Sequence, residues 1–152
     1  MNELDRYDYA ILSALQGDGT LSIAQLSERI GLSSTPCWKR VRRLEEEGYI
    51  ESRVAIVNRR KVGLPVTVFV SVRTSHHDQK WLAKFAAAVV DLPEVQEFHR
   101  MSGDVDYLLK VVTTDIDGYD AFYKKLIRAA LLTGVSSAFS MEQIKSTTAL
   151  PL

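Results

Sequence analysis

Apolar residues recur at helical spacing three times in the first fifty positions, with glycine-bearing polar breaks between them. Tyr7, Ala10, Ile11, Ala14 and Leu15 follow Asp5 and stop at Gly17-Asp-Gly19, which predicts a first helix. Ser22 and Gln25 have capping-box spacing, Leu26 and Ile30 supply an inward face, and Gly31 ends the second helix. Leu32-Ser33 leaves room only for a tight corner into a third helix at Thr35-Pro36. Cys37, Val41 and Leu44 share one face of it and Gly48 stops it. Helix, helix, sharp turn, helix is the helix-turn-helix order. Tyr49-Ile50 and Val54 to Val57, with Glu51 to Arg53 at the bend, predict a short two-strand ribbon that makes the motif winged.

The pattern then changes period. Asn58 to Pro65 is polar and aperiodic and reads as a linker. Val66, Val68, Val70 and Val72 alternate with polar neighbours as in a strand, and Leu82, Phe85, Ala86, Val89 and Val90 return to helical spacing. Val95 to Met101 and Tyr107 to Val112 are strand-like, separated by Ser102 to Asp106. Tyr119, Phe122, Tyr123, Leu126 and Ile127 form an amphipathic helix capped by Asp115 or Asp117, and a last strand covers Val135 to Lys145. The sequence therefore predicts an α+β protein: a winged helix-turn-helix over residues 1–57, a linker at 58–65, and a ferredoxin-like βαββαβ domain over 66–152. Two helices cover one face of such a sheet. Phe69, Phe98 and Phe139 are poorly suited to solvent, so the other face is expected to meet a second copy and build a homodimer.

Charge narrows the function. Net charge is zero, and residues 1–60 hold nine Lys/Arg against nine Asp/Glu, so the chain cannot coat nucleic acid by bulk charge. The third helix nonetheless places Lys39, Arg42 and Arg43 away from its apolar face, with Trp38 at the flank, as a major-groove reader requires. Ser34 and Thr35 are placed to meet DNA backbone near the helix start, and Arg40 to reach phosphate or base. A solvated face paired with Glu45 to Glu47 is the competing reading. Cys37 has no partner for a disulfide and reads as a packed thiol. No apolar run approaches the ~20 residues of a membrane span and no signal-peptide pattern opens the chain, so a cytoplasmic, nucleoid-associated protein is expected.

Little else suggests chemistry. Asp104 and Asp106 flank Val105 in a tight turn, where a carboxylate pair, a ligand-binding corner and ordinary turn chemistry all fit. Adjacent His76 and His77 diverge along the backbone and read as a solvated loop rather than metal ligands. Trp38 and Trp81 read as packing or interface residues. No nucleophile motif, phosphate loop or dinucleotide fingerprint occurs, and neither enzyme activity nor a cofactor is expected.

The stretch from Leu32 to Glu45 with Gly48-Tyr-Ile50 resembles the recognition helix of the Lrp/AsnC, or feast/famine, transcriptional regulators. Leu92-Pro-Glu-Val95, Ser102-Gly-Asp-Val-Asp-Tyr107 and Lys145 to Pro151 resemble that family's effector-domain signatures, so the match spans the whole chain. The resemblance implies a DNA-binding domain and a ligand-sensing domain, with dimers that assemble further, often to octamers. It implies an amino-acid effector between subunits near Met101, Gly103, Asp104, Asp106 and Tyr107, with Ser137, Ala138 and Phe139 lining the pocket across the interface. Pro36 to Arg40, His76-His77 and Phe139 to Lys145 look most like the branch controlling cysteine detoxification, which makes L-cysteine the first effector candidate, ahead of Leu, Met or Pro. The family's usual Leu-Pro-Gly-Val turn is replaced here by Ala129 to Val135. An effector-independent protein that compacts DNA is the rival reading.

Overall fold

A computed structural model describes residues 4–76, 78–129 and 132–152. The chain divides into two compact units, Met1–Ile56 with Lys145–Leu152, and Val57–Ile144.

In the first unit, Asp5 accepts hydrogen bonds from the amides of Tyr7 and Asp8 and starts α1 (Arg6–Gly17). Ser22 and Gln25 form the expected reciprocal cap at the start of α2 (Ile23–Ile30). Gly31 ends α2 in the left-handed region at φ +71°, and α3 (Ser34–Glu46) follows at once. Ile11, Leu12, Leu26, Cys37, Val41 and Leu44 fill the core between the three helices. At about 1.5–3 kcal/mol per buried aliphatic side chain, this small core holds the unit only if its polar contacts are also satisfied.

The decisive polar contact is Asp8, which lies on the inner side of α1 and is 1% exposed. Its Oδ1 accepts from Arg40 at 2.8 Å, while its Oδ2 accepts from Arg43 at 2.7 Å and from the Asp5 amide at 3.0 Å. Arg40 also reaches Asp5 at 2.8 Å, and Arg43 reaches Glu47 at 3.2 Å. Burial raises the Asp8 pKa, but the Asp5 amide and the two guanidiniums outweigh it and hold the carboxyl below its ordinary 3.8.

One expectation fails in this unit. Residues 51–57 carry no strand, so the ribbon of the wing does not form; Val54 and Ile56 are more than three-quarters exposed. An isolated two-strand ribbon lacks a face to bury, which is reason enough for it not to form. The last eight residues cluster with the first unit: Gln16 clasps the Leu150 backbone, accepting from its amide and donating to its carbonyl.

The second unit is the expected sandwich of sheet and helices: β1 (Val66–Arg73), α4 (Gln79–Val90), β2 (Val95–Arg100), β3 (Tyr107–Thr113), α5 (Ile116–Ala129) and β4 (Gly134–Phe139). All pairings are antiparallel, in the ferredoxin-like order β2-β3-β1-β4. Val68, Val70, Val72, Leu109 and Val111 meet Phe85 and Val89 of α4 and Phe122 and Leu126 of α5 in a continuous core. Asp115 caps α5 through the Gly118 amide at 2.7 Å. Only Phe69 of the three predicted open-face aromatics lies on that face. Phe98 pairs with Leu109 and packs on Phe85, and Phe139 pairs with Val68 and packs on Tyr119, so both belong to the helix side. Around Phe69 the open face carries Ser71, Leu108, Lys110 and Ala138, with the Lys110 ammonium on Glu97 at 2.6 Å.

β4 ends six residues earlier than expected, and the register explains it. Ser140 donates to Thr67, and two positions on, the partner would be Pro65, which has no N–H and whose carbonyl is taken by Arg59. The predicted linker is itself ordered: Asn58 Oδ1 accepts from the amides of Arg60 and Lys61, and Leu64 donates back to Arg59. The expectations for His77, and for Ala130 and Leu131 in the replaced turn, lie outside the described residues.

Removing the Asp8 carboxylate strands two guanidiniums on a helix that depends on them. Asp8→Ala is expected to destabilise the protein by about 2–4 kcal/mol in chemical denaturation. Because the folded-state pKa is depressed, this stabilisation is fully present above the unfolded value near 3.8 and lost as pH falls through the lower folded value. Asp8→Asn, with no carboxylate there to titrate, is expected to show a shallower loss of stability below pH 3.8 than wild type when unfolding midpoints are compared.

Candidate nucleic-acid interface and effector turn

The outward face of α3 is set by what its inward face must do. Cys37, Val41 and Leu44 are buried, so helical spacing turns Thr35, Trp38, Lys39 and Arg42 to solvent. Trp38 is half exposed, with the Arg42 guanidinium 5.9 Å from its ring centre and 3.5 Å from Glu46. Lys39 makes no ion pair among the described residues. Ser34 is exposed, its hydroxyl 3.4 Å from that of Ser27. Ser33 occupies the cap position but its side chain caps nothing, leaving the first amides of α3 without a side-chain acceptor.

Of the seven predicted DNA-contacting residues, Ser34, Thr35, Trp38, Lys39 and Arg42 therefore share an accessible surface. Arg40 and Arg43 do not. Both are about a quarter exposed and are held by Asp8, which corrects the expectation that Arg43 projects away from the core. Sequence reading missed Asp8, although a signal was there: it precedes Ile11 by three residues and Leu12 by four, on the buried face of α1. Burial pushes the Cys37 thiol pKa up, in keeping with a packed, unreactive cysteine.

The second candidate is the β2–β3 turn. Gly103 sits at φ +114°, a conformation side-chain-bearing residues rarely adopt. The turn closes through Met101 N–H to the Asp106 carbonyl at 2.8 Å, while the Asp106 amide reaches Val72 at 3.1 Å. The Asp106 carboxylate accepts from the Thr74 amide at 2.8 Å and so pins the turn to the end of β1. Asp104 is exposed and makes no hydrogen bond or ion pair among the described residues. The Met101 side chain is also exposed. Tyr107 is not a surface residue: opposite Val72, its ring packs with Trp81, Phe85 and Phe98. Trp81 stacks in turn on Phe85 and on His76.

The β4 residues lie elsewhere in the same subunit. Tyr107 shares a row with Val72 and Val135, whereas Phe139 shares one with Val68 and Val111, four residues and roughly 13 Å along the strands. Ser137 faces the helices and hydrogen-bonds the Tyr119 hydroxyl, whose pKa burial raises and this contact lowers. Ala138 alone of the three is on the open face. One subunit does not bring the turn and β4 into a single pocket.

Residues 4–51 match the family profile of a winged helix-turn-helix DNA-binding domain, and residues 67–150 match that of the Lrp/AsnC ligand binding domain. The glutamate uptake regulatory protein of Zymomonas mobilis is 48% identical over 152 residues, covering 100% of this chain and 93% of that one. The DNA-binding transcriptional activator DecR of Escherichia coli K12 is 45% identical over 150 residues, covering 98% and 99%. Among solved structures, an AsnC family transcriptional regulator from Agrobacterium tumefaciens superposes with a TM-score of 0.95 at 55% identity, covering 97% of each chain. A transcriptional regulator of Neisseria meningitidis, solved as a complex with L-Met, gives 0.93 at 33% identity, covering 98% and 97%. These relatives are regulators by name, not enzymes.

Asp106 ties the turn to β1, so its loss has a local signature. Asp106→Ala is expected to accelerate hydrogen exchange at the Thr74 amide and to cost about 1–3 kcal/mol. Asp104→Ala is expected to leave both at wild-type values.

Proposed function

This chain belongs to the Lrp/AsnC family of DNA-binding transcriptional regulators with an amino-acid ligand-binding domain, and from that premise we propose that it recognises a defined operator under the control of an amino-acid effector held between subunits. The observation that carries this reading is the division of labour among the cations of α3. Arg40 and Arg43 brace the helix against Asp8, and Lys39 and Arg42 stand outward beside Trp38. A neutral chain gains groove recognition from such placement and not from charge in bulk. Ser34, Thr35 and the uncapped first turn of α3 are suited to backbone phosphates.

The open sheet face around Phe69 supports a homodimer, which sets two recognition helices one DNA turn apart, about 34 Å. Further assembly to an octamer is part of the proposal, as is action on the nucleoid in the cytoplasm. The effector reading is refined by the turn geometry: Asp106 shapes the corner, Gly103 exposes its backbone, and Asp104 is the carboxylate placed to accept an α-ammonium. Met101 from the turn and Ala138 from the neighbouring subunit complete the pocket, while Tyr107, Ser137 and Phe139 support it from behind. Effector binding controls transcription only if it favours one assembly or DNA geometry over another. L-cysteine is the first effector candidate, on the resemblance of Pro36 to Arg40 and of Phe139 to Lys145 to the cysteine-detoxification branch. The L-Met complex of the Neisseria relative makes methionine the next.

Operator binding is tested by Lys39→Ala with Arg42→Ala, expected to weaken operator affinity by ten- to a hundredfold at an unchanged unfolding midpoint. Arg43→Ala is expected to lower the midpoint. An operator-to-random affinity ratio near one in the wild type would replace this reading with DNA compaction. Effector identity is read by calorimetry of the twenty amino acids against the full chain. One is expected to bind, and Asp104→Ala is expected to abolish that heat while operator affinity without effector stays at the wild-type value.

A further inference from the structure

The stretch that leads into the second unit has a charge pattern found nowhere else in the chain. Between Glu51 and Asp78 the sequence holds five Lys/Arg and no Asp or Glu, on a chain whose formal net charge is zero. Three of the five, Arg59, Arg60 and Lys61, are consecutive.

They sit on a built turn. Asn58 Oδ1 accepts from the Arg60 amide at 3.1 Å and the Lys61 amide at 3.2 Å, and the Asn58 carbonyl accepts from Lys61 and Val62 at 3.0 and 3.2 Å. Gly63, at φ +83°, lets the chain reverse so that the Leu64 amide reaches the Arg59 carbonyl at 2.8 Å. The Arg59 guanidinium folds back on the carbonyls of Leu64 and Pro65 and acts as a strut. Arg60 and Lys61 are exposed, and their side chains make no hydrogen bond or ion pair among the described residues.

Two adjacent unpaired cations on a rigid turn, with no acidic neighbour in sequence, are an unmet demand for anions. We propose that Arg60 and Lys61 form a second DNA contact, separate from α3, that grips duplex phosphates outside the recognised bases. The proposal rests on the DNA-binding reading above. Phosphate is the fitting ligand because residues 58–65 contain no aromatic ring to stack on a base. Duplex DNA is the fitting source because the turn is tethered to the end of α3. The eleven residues 47–57 between them span at most about 40 Å, and a duplex offers one phosphate charge per ~1.7 Å of its axis. The contact is indifferent to sequence, so it adds affinity at every site without adding discrimination.

Fluorescence anisotropy of the full-length protein, on operator and random duplexes from about 50 to 200 mM salt, tests this. Arg60→Gln with Lys61→Gln is expected to weaken both duplexes by a common factor. The slope of log affinity against log salt is expected to fall by about one for each phosphate no longer neutralised. The operator-to-random ratio and the unfolding midpoint are expected to stay at wild-type values. Lys84→Gln with Lys124→Gln, which removes the same charge elsewhere, is expected to leave the slope unchanged; an equal fall there would mean bulk charge and overturn the proposal. An unchanged slope in the Arg60, Lys61 variant, while the wild type binds, overturns the second contact alone. A change in assembly mass by light scattering at constant slope would assign the turn to an acidic surface of a second copy and overturn it too. Failure of the wild type to bind either duplex overturns both this proposal and the regulator reading.

Discussion

One buried carboxylate governs how the first unit presents itself. A three-helix unit of some fifty residues has little core to fix the attitude of its last helix, and apolar contacts alone tolerate rotation. Asp8 removes that freedom by holding two guanidiniums one helical turn apart, Arg40 and Arg43, on α3. Ion pairs of this kind add little net stability, because desolvation offsets most of the attraction, but they penalise any geometry that separates the partners. The same constraint decides which cations remain outward. Lys39 and Arg42 are available because Arg40 and Arg43 are not.

Much of this was legible in the sequence, and the failures share a cause. Periodicity located the nine described elements, and the Ser22–Gln25 cap and the two-helix sheet domain were read from local spacing. Local spacing has no access to partners distant in sequence. Arg43 looked outward on a helical wheel until Asp8, thirty-five residues away, claimed it. Phe98 and Phe139 looked stranded until strand register put them opposite Leu109 and Val68. β4 looked longer because nothing within it announces that its partner runs out at Pro65. In the candidate sites the reading found the turn but not how its parts are held: Asp106 acts on the backbone of Thr74, and Tyr107 packs into the core.

The ordered linker shows how aperiodic sequence conceals structure. Asn58, Gly63 and Pro65 are residues that break helices and strands, and their presence reads as slack chain. In place they act together: Asn58 begins the turn, Gly63 reverses it, and Pro65 both receives Arg59 and stops the sheet from growing. The opening of the second unit is thus also a fixed element, and the positive charge it carries keeps a set position next to the start of β1.

The distribution of tryptophan gives the molecule a built-in optical property. Its two indoles fall one in each unit: Trp38 half exposed on α3, Trp81 packed among Phe85, Tyr107 and His76. A solvated indole emits to the red of one enclosed by aromatic rings. The protein therefore carries two intrinsic colours, one for each unit, and events at the helix and at the sheet register as separate shifts in a single emission spectrum.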